Sequence, residues 1–561
     1  MKGRIWLPLP LLAAGLALLV AASFANARGQ PPVKNGGIFR FGAAISSRLV
    51  DPQLGYDPIA WWLSYATGAK LYNYPDKAGV PGMRLVPEVA SRVAVSNNGK
   101  RYVFTIRRGF RFSDGTAVTA GSFKYAIERV ANHDLASPGA DFITDPNGTD
   151  IVGAEAALEG KTTKVSGVVA KGDRLIINLT KPDPTFMAKI TMPFFQATSR
   201  KLPLDRQVRE ISSITDMPTA GPYAYALNEI NRLTVIRRNP WWRRGPGRNR
   251  PRHLDGVRLE WNLNPQTAFQ QLLANELDTA PVPAAEGPGL ARKYGVNKSR
   301  FWVKPIDCTG WLVPNTSRPL FHNVKLRKAL NYAVNRKDYI AVLGSYAGKP
   351  WSHILSPGVP GSPNVQPYPL RTPNLAKAKK LAGSLGNKKI NVWYVSSGFY
   401  FPGAIDQFQI VRRDLMRLGF RPENINATGF DGLRIFVAMG NKGNDADLGV
   451  SMGWCSDYPD PYDWINILFY GGFIRESGNL NYSQFDVPKW NRRMEAAARL
   501  VGPERFRAYG QLDLDLMRQA APIVPMANIN QTFMFSKRVD PRSLAWQRIY
   551  AFWSIPALAL K

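Results

Sequence analysis

Apolar and polar positions alternate with two different periods along the chain, which predicts both strands and helices. A period of two over residues 102–107 indicates a half-buried strand. A period near 3.6 begins after Thr119, which predicts a helix with Thr119 as its N-cap. Ser122 stands where a capping box prefers an acid, so the cap is expected to be weak. The apolar positions of this helix are Phe123, Ala126, Ile127 and Val130.

The same patterns predict further elements in both halves of the chain. A strand and turn are expected within residues 36–49, and strands at 175–179, 233–236, 390–395 and 523–526. One helix is expected to begin at Asn264 and Pro265 and to end at Asn275. Others are expected at 324–334, 375–385, 404–418, 487–500 and 503–520. Because helices and strands alternate, the predicted class is α/β with mixed sheets.

Length and composition predict a packed protein of more than one domain. The 561 residues exceed what a single hydrophobic core usually organises, so two or three domains are expected. A hydrophobic share of 45% with 11% aromatic residues is typical of a globular chain and argues against disorder.

The N-terminal residues have the features of a targeting segment. Lys2 and Arg4 are followed by an apolar stretch over residues 5–22, and a small-x-small sequence at 25–27 precedes Arg28. Residues 1–27 are therefore predicted to be a signal peptide; the alternative is an uncleaved signal that anchors the chain in the membrane. No cysteine lies nearby, so a lipoprotein is not expected. The predicted location is periplasmic, cell-envelope or extracellular.

The formal net charge of +32 raises the question of an anionic partner. The basic residues are spread along the whole chain, so nucleic acid is not an expected partner. One dense cluster lies in a Gly- and Pro-rich segment, which is expected to be a solvated loop; the alternative is an anchor on an acidic partner or on lipid headgroups. The cluster consists of Arg243, Arg244, Arg248, Arg250 and Arg252.

The sequence lacks the recognisable patterns of an enzyme. Its four histidines are scattered without metal-ligand spacing, and there is no phosphate-binding glycine loop, nucleophile elbow or dinucleotide fingerprint. A binding protein with no catalytic residue, metal or cofactor is therefore expected. The two cysteines, Cys308 and Cys455, are either a disulfide or two buried free thiols.

The segment MGWCSDYPDPYDWIN, residues 452–466, contains three acids in different settings. Asp460 precedes a proline as a helix N-cap would, and Asp463 falls in the first helical turn, so both are expected to be structural. Asp457 lies before that helix among aromatic residues, Trp454 and Tyr458 among them. Such an acid either bonds locally or is kept for a cationic ligand.

Four ordered stretches lie at 104–130, 221–242, 315–340 and 453–458, and together they resemble the solute-binding family 5 of ABC importers. GWCSDY resembles the family's tryptophan–aspartate motif, and FTIRRGFRFSDGTAVTAGSFKYAIERV at 104–130 resembles its strand, turn and capped helix. GPYAYALNEINRLTVIRRNPWW at 221–242 resembles its hairpin, and NTSRPLFHNVKLRKALNYAVNRKDYI at 315–340 its helix motif. With the C-terminal helices, the resemblance covers nearly all of residues 36–561.

The resemblance implies a two-lobed, periplasmic-binding-protein-like fold of class II. It implies a first lobe built from residues 36–75, 201–307 and 516–561, with an inserted subdomain at 76–200, and a second lobe at 308–515. The expected protein is a monomer that closes on a peptide or another small solute and delivers it to a membrane permease and ATPase. The alternatives are a non-peptide solute, such as a nickel complex, an oligosaccharide or an opine-like compound, and a ligand sensor.

Site residues follow from the same resemblance. Asp457 is expected to pair with the α-amine of an extended peptide. The other expected ligand contacts are Trp454, Tyr458, Trp311 and Tyr56. A disulfide between Cys308 and Cys455 is implied.

This chain departs from the family at position 451. Ser451 replaces a basic residue that binds the peptide carboxylate in relatives. Carboxylate recognition is therefore lost, moved to Lys442, or irrelevant because the ligand is not a simple peptide.

Overall fold

The computed structural model describes residues 33–43, 49–77, 79–145, 150–208, 210–243, 245–397 and 403–561. The predicted signal peptide lies outside these residues. Within the described ranges, no helix combines the length and the apolar character needed to cross a bilayer.

Nineteen strands are formed by the described residues. They are β1 (Ile38–Gly42), β2 (Tyr72–Asn73), β3 (Val86–Pro87), β4 (Ala90–Ser96), β5 (Arg101–Ile106), β6 (Val168–Lys171), β7 (Arg174–Asn178), β8 (Tyr223–Glu229), β9 (Leu233–Arg238), β10 (Gly256–Glu260), β11 (Thr279–Pro281), β12 (Phe301–Pro314), β13 (Gly348–Pro350), β14 (Ile390–Ser397), β15 (Ile425–Asp431), β16 (Leu448–Cys455), β17 (Val524–Phe535), β18 (Trp546–Gln547) and β19 (Phe552–Trp553).

Fifteen α-helices lie between the strands in the same part of the chain. They are α1 (Pro58–Thr67), α2 (Ala120–Val130), α3 (Ala154–Leu158), α4 (Phe186–Lys189), α5 (Pro265–Leu273), α6 (Gly287–Tyr294), α7 (Pro319–His322), α8 (Val324–Ala333), α9 (Arg336–Ala341), α10 (Leu375–Ala382), α11 (Ala404–Leu418), α12 (Arg434–Met439), α13 (Tyr462–Phe469), α14 (Pro488–Ala498) and α15 (Gly502–Asp515).

A mixed sheet of 11 strands runs through the molecule in the order β15-β14-β16-β12-β17-β11-β1-β10-β9-β8, with β13 also paired to β17. β14 pairs in parallel with β15 and β16, and β1 with β10, whereas β12 is antiparallel to both of its neighbours. A separate four-stranded antiparallel sheet has the order β4-β5-β7-β6. The predicted α/β class with mixed sheets is confirmed.

The long strands β12 and β17 connect the two sides of the large sheet. They pair over two stretches, and the register shift between Pro305 and Thr309 separates one stretch from the other. Separate hydrophobic cores lie on the two sides of these strands. On one side, the buried side chains belong to β1, β8–β10 and the four-stranded sheet. On the other side, helices pack against β14–β16. This division agrees with a two-lobed fold, while the predicted boundaries of the lobes and of the subdomain at 76–200 stay predictions.

Helix ends predicted from capping residues agree with the structure at α5 and α2. The Asn264 side chain accepts hydrogen bonds from the first backbone amides of α5, and Asn275, at a φ of 63°, follows its end. At α2, Ser122 Oγ accepts a hydrogen bond of 3.2 Å from Thr119 N, and the weakness of this cap stays a prediction. A serine hydroxyl thus completes the capping box in place of an acid.

The remaining predicted elements are present with small differences at their ends. The strands correspond to β1, β5, β7, β9, β14 and the first part of β17. The helices correspond to α8, α10, α11, α14 and α15, and α15 continues as a π-helical turn over Leu516–Ala520. Within the predicted 36–49 segment, residues 44–48 lie outside the described part of the chain.

The arginine-rich segment differs from the solvated loop that its composition predicts. Arg250 is buried at 5% exposure and forms an ion pair of 2.6 Å with Glu88. Arg248 donates to the carbonyl oxygen of Gly109 at 2.5 Å and lies over the Phe110 ring. The prediction is therefore wrong for these two arginines, because a guanidinium can be buried when carboxylates and carbonyls accept its N–H groups. Arg244 lies outside the described residues.

Candidate functional site

β16 brings the tryptophan–aspartate motif to the centre of the large sheet. Most residues of β16 are buried, whereas Gly453 is half-buried and Cys455 is exposed. Gly453 lies so close to β12 that a Cβ atom would be 2.7 Å from the Thr309 carbonyl oxygen. Beyond Cys455 the chain leaves the sheet, since Pro459 and Pro461 have no N–H to donate to a ladder. The motif therefore ends in a short loop before α13.

A disulfide joins this loop to the neighbouring strand. Cys308 on β12 and Cys455 on β16 are directly opposite each other in the ladder and are bonded, across a sequence separation of 147. Ser456 N then donates to the Asp307 carbonyl oxygen at 2.9 Å. The predicted disulfide is confirmed, and it holds the first residues of the loop against β12.

Asp457 occupies the centre of the loop and is only 8% exposed. Tyr56 Oη donates a hydrogen bond of 2.6 Å to its Oδ2 atom. The backbone N–H of Asp457 donates to Asp463 Oδ2 at 2.9 Å, from the first turn of α13. The carboxyl group is thus held between the segment before α1 and the helix that follows the motif.

Asp457 and Asp463 form a buried acidic pair. Burial raises the pKa of Asp457 to about 7, against the opposing effect of its hydrogen bonds with Tyr56 and Asp463. Burial and the charge of Asp457 also raise the pKa of Asp463, which is fully buried. Among the described residues, no lysine, arginine or histidine forms an ion pair with Asp457. Burial therefore disfavours the ionised form of both carboxyl groups, and a cation entering the site would favour ionisation again.

Aromatic rings surround the acidic pair. The Tyr56 ring lies 5.4 Å from Phe194 and 6.3 Å from Phe142, and Phe142 in turn contacts the Tyr458 ring at 6.4 Å. Tyr458 is fully buried, and its hydroxyl has no hydrogen-bond partner among the described residues. The indole of Trp454 lies beside Asp463 and opposes the rise in the pKa of that carboxyl. The walls are apolar with a few inward polar atoms, as in small-molecule sites.

Trp311 lies one layer behind this group. It is 2% exposed, and its ring meets Trp464 edge to face at a centroid distance of 6.1 Å. Trp464 Nε1 donates to Ser456 Oγ at 2.8 Å, next to Asp457. The structure therefore brings Tyr56, Trp454, Asp457 and Tyr458 together and links Trp311 to them through Trp464.

Position 451 lies in a β-bulge. The register between β12 and β16 shifts there, and Ser451 has a φ of 61°. Its hydroxyl donates to Gln407 Oε1 at 2.9 Å, so the side chain is turned into the packing against α11. Lys442, the other position considered for carboxylate recognition, is exposed and forms a 3.0 Å ion pair with Glu476.

A second polar cluster, which no sequence motif predicts, lies close to α13. Lys189 Nζ is buried 3.0 Å from both Asp145 Oδ2 and Asp183 Oδ2. Tyr462, the first residue of α13, donates its hydroxyl to Asp145 Oδ2. Four residues that are far apart in sequence meet here, and no local pattern marks them.

The three acids of the motif have clearer roles in the structure than in the sequence. Asp460 accepts from Tyr462 N at 2.9 Å and pairs with Arg505, so it is structural as predicted. Asp463 is in the first turn of α13 as predicted, but it also belongs to the site through its contact with Asp457. Tyr74 was missed: its buried hydroxyl has no hydrogen-bond partner among the described residues, and its pKa is raised mainly by burial, with smaller effects from Tyr550, Asp460 and Asp463.

Comparison with known families identifies the chain. The family model described as bacterial extracellular solute-binding proteins, family 5, matches residues 84–475, which include the motif and its loop. The chain belongs to this family. The resemblance inferred from the four ordered stretches is thereby confirmed.

Similar proteins extend over most of the length of this family member. The chain is 27% identical over 512 residues to the dipeptide-binding protein DppE of Bacillus subtilis, covering 87% of this chain and 86% of the relative. It is 22% identical over 445 residues to the periplasmic oligopeptide-binding protein OppA of Escherichia coli, covering 77% of each.

Solved structures share the fold. The clavulanic acid biosynthesis oligopeptide binding protein 2 superposes with a TM-score of 0.80 at 20% identity, covering 94% of this chain and 96% of its own. The Escherichia coli murein tripeptide binding protein MppA gives a TM-score of 0.75, also at 20% identity, covering 94% of this chain and 99% of its own. The two-lobed fold is therefore that of this family.

Proposed function

We propose that this protein is the extracytoplasmic solute-binding component of an ABC importer and that it captures peptides between its lobes. One observation carries the proposal: the buried carboxyl of Asp457 accepts a hydrogen bond from Tyr56 and has no cationic partner among the described residues. A carboxylate in such a place is stabilised by a ligand ammonium group. The relatives named dipeptide- and oligopeptide-binding proteins support a peptide as the source of that group.

The proposed binding mode places the peptide α-amine at Asp457. Trp454, Tyr458 and Tyr56 surround the first residues of the peptide, and the unpartnered Tyr458 hydroxyl offers a hydrogen bond to its backbone. Trp311 supports this wall from behind through Trp464. Since Ser451 is bonded to Gln407, the peptide carboxylate receives no basic partner at that position, and peptides of several lengths are accommodated.

Ligand entry requires the two sides of the site to separate. Tyr56 and Asp457 lie on opposite sides, in the proposed first and second lobes, and their hydrogen bond closes the site over the buried carboxyl. The ammonium group of the ligand then replaces Tyr56 as the main partner of Asp457 or shares the carboxylate with it. The loaded protein, exported as the N-terminal segment predicts, docks on a membrane permease with its ATPase.

Calorimetry with matched peptides tests this function. A tetrapeptide with a free α-amine is expected to bind, and its N-acetylated form to bind at least about tenfold more weakly, because it loses a charge-assisted hydrogen bond. Asp457→Asn is expected to weaken binding of the free peptide by about 1.5–3 kcal/mol and to leave the weak binding of the acetylated peptide unchanged. Equal affinities for both peptides would exclude the α-amine contact.

A further inference from the structure

A cleft lined by arginines lies outside the peptide site. It has a volume of about 690 Å³, within the range of pockets that hold organic ligands. We refer to it as the arginine cleft. Residues lining it include Asn35, Arg238, Arg248, Arg250, Arg252 and His253.

Two of the four arginines in the arginine cleft are neutralised by carboxylates. Arg250 pairs with Glu88 at 2.6 Å, and Arg238 lies 3.3 Å from Asp255. Arg248 and Arg252 are different, because each donates to a backbone carbonyl oxygen and, among the described residues, forms no ion pair with an acid. A carbonyl fixes a guanidinium in place without cancelling its charge, so the cleft keeps an excess of two positive charges.

No acid among the described residues offsets the charge of Arg248 or Arg252, although the Phe110 ring beneath Arg248 stabilises that cation in part. Arg248 Nε is buried without a hydrogen-bond acceptor among the described residues. Burial lowers the pKa of Arg252, and the nearby charge of Arg238 lowers it further. Arg248 and Arg252 therefore line the same cleft, partly dehydrated and without an acid paired to either among the described residues. That arrangement costs stability, as expected of a binding site formed before its ligand arrives.

We propose that the arginine cleft binds the phosphate group of a phosphate monoester. A guanidinium presents parallel N–H donors that match phosphate oxygens, and a monoester dianion matches the two excess charges. The volume exceeds what a bare phosphate needs, which leaves room for the organic group to which it is attached. His253 and Asn35, which hydrogen-bond to each other at 2.9 Å, add further polar groups to the lining. The source of the phosphate is either a membrane lipid with a terminal phosphate or a soluble phosphorylated molecule.

The test compares three forms of the whole exported chain by calorimetry with phenyl phosphate. The wild type is expected to bind it saturably. Arg248→Gln with Arg252→Gln is expected to weaken binding at least tenfold, since two charge-assisted contacts are lost. Arg243→Gln is the matched control: it removes a charge from the same loop at an exposed residue that does not line the cleft. Its affinity should equal that of the wild type.

A second variant and a second probe keep the result decisive. Arg248→Lys serves as the test if the double variant fails to fold. It keeps the charge but loses the parallel N–H donors of the guanidinium, so it should bind phenyl phosphate more weakly than the wild type. Flotation with phosphatidic acid vesicles, compared with titration of glycerol phosphate, distinguishes a lipid from a soluble source.

Absence of saturable phenyl phosphate binding by the wild type overturns the proposal. So does equal weakening by Arg243→Gln. Peptide binding at Asp457 should be unchanged in all of these variants.

Discussion

Tyr56 Oη lies 2.6 Å from Asp457 Oδ2, although 401 positions separate the two residues in sequence. The contact joins the segment before α1 to the loop after β16 and therefore closes over the acidic pair. It also has an electrostatic role, because this hydrogen bond lowers the pKa of Asp457 while burial raises it. The tyrosine thus helps to keep the carboxylate ionised, as the proposed pairing with a ligand ammonium group requires.

Tyr56→Phe is expected to weaken peptide binding about tenfold at pH 7, as for loss of one hydrogen bond to a charged group. Without the hydroxyl the pKa of Asp457 rises further, so more of the carboxyl is protonated and unable to pair with an ammonium group. At pH 9 the carboxyl should be ionised in both forms, and the difference in affinity should shrink. Calorimetry at both pH values measures this. An equal loss of affinity at both pH values would contradict the pKa argument.

Asp457→Asn is expected to stabilise the ligand-free protein at pH 8 by roughly 2–4 kcal/mol. The pKa of this carboxyl is about 7 in the folded protein and about 4 when unfolded, so ionisation opposes folding. Below pH 4 the group is neutral in both states and the variant should match the wild type. The difference should grow between pH 4 and pH 7 and then stay constant. Urea unfolding across this range measures it, with exposed Asp173→Asn as the control.

Local signals account for what could be predicted from the sequence. Thr119 and Asn264 marked helix starts because capping depends on a few adjacent residues. The 14-residue strand β12 was not recognised, because much of it is buried on both faces and shows no alternation. α1 was missed for a similar reason: nine of its ten residues are buried, so it has no polar face.

The site could be predicted only where family motifs carried it. Asp457 and the cysteine pair were recognised through the order of motifs, since nothing in their spacing requires them to meet. The contact of Asp463 with Asp457 depends on how α13 leaves the loop, which the sequence does not specify. The ion pairs of Lys189 with Asp145 and Asp183 depend on the tertiary fold alone.

Removal of the disulfide by Cys308→Ser with Cys455→Ser is expected to lower the unfolding free energy by about 2–5 kcal/mol. A loop of 147 residues corresponds to about 5 kcal/mol in the chain-entropy model. Peptide affinity should fall as well, because the bond holds the Asp457 loop against β12. Chemical unfolding and calorimetry of the oxidised wild type and the double variant measure both effects. A stability within 0.5 kcal/mol of the wild type would contradict the structural role.

Tyr462→Phe is expected to shift the ligand-free protein toward an open form without unfolding the proposed second lobe or the inserted subdomain. The Tyr462 hydroxyl donates to Asp145, which is already paired with Lys189, so the ion pair survives the substitution. One hydrogen bond to a charged group is lost, about 1.5–3 kcal/mol. Because this bond joins the proposed second lobe to the inserted subdomain, the loss should appear as a shift toward the open form. Small-angle scattering of the ligand-free protein measures that shift, and peptide affinity should fall with it.

Lys189→Met provides the contrasting result for the same cluster. The substitution leaves Asp145 and Asp183 buried without their shared cation, which typically costs 3–5 kcal/mol. Asp145, Asp183 and Lys189 all belong to the proposed inserted subdomain, whereas Tyr462 belongs to the proposed second lobe. The loss of the ion pairs should therefore appear as a lower unfolding free energy at pH 7. It should diminish at pH 4, where carboxylates begin to protonate. If Tyr462→Phe lowered the unfolding free energy as much as Lys189→Met and left the scattering curve unchanged, the cluster would be a structural core and not a closure contact.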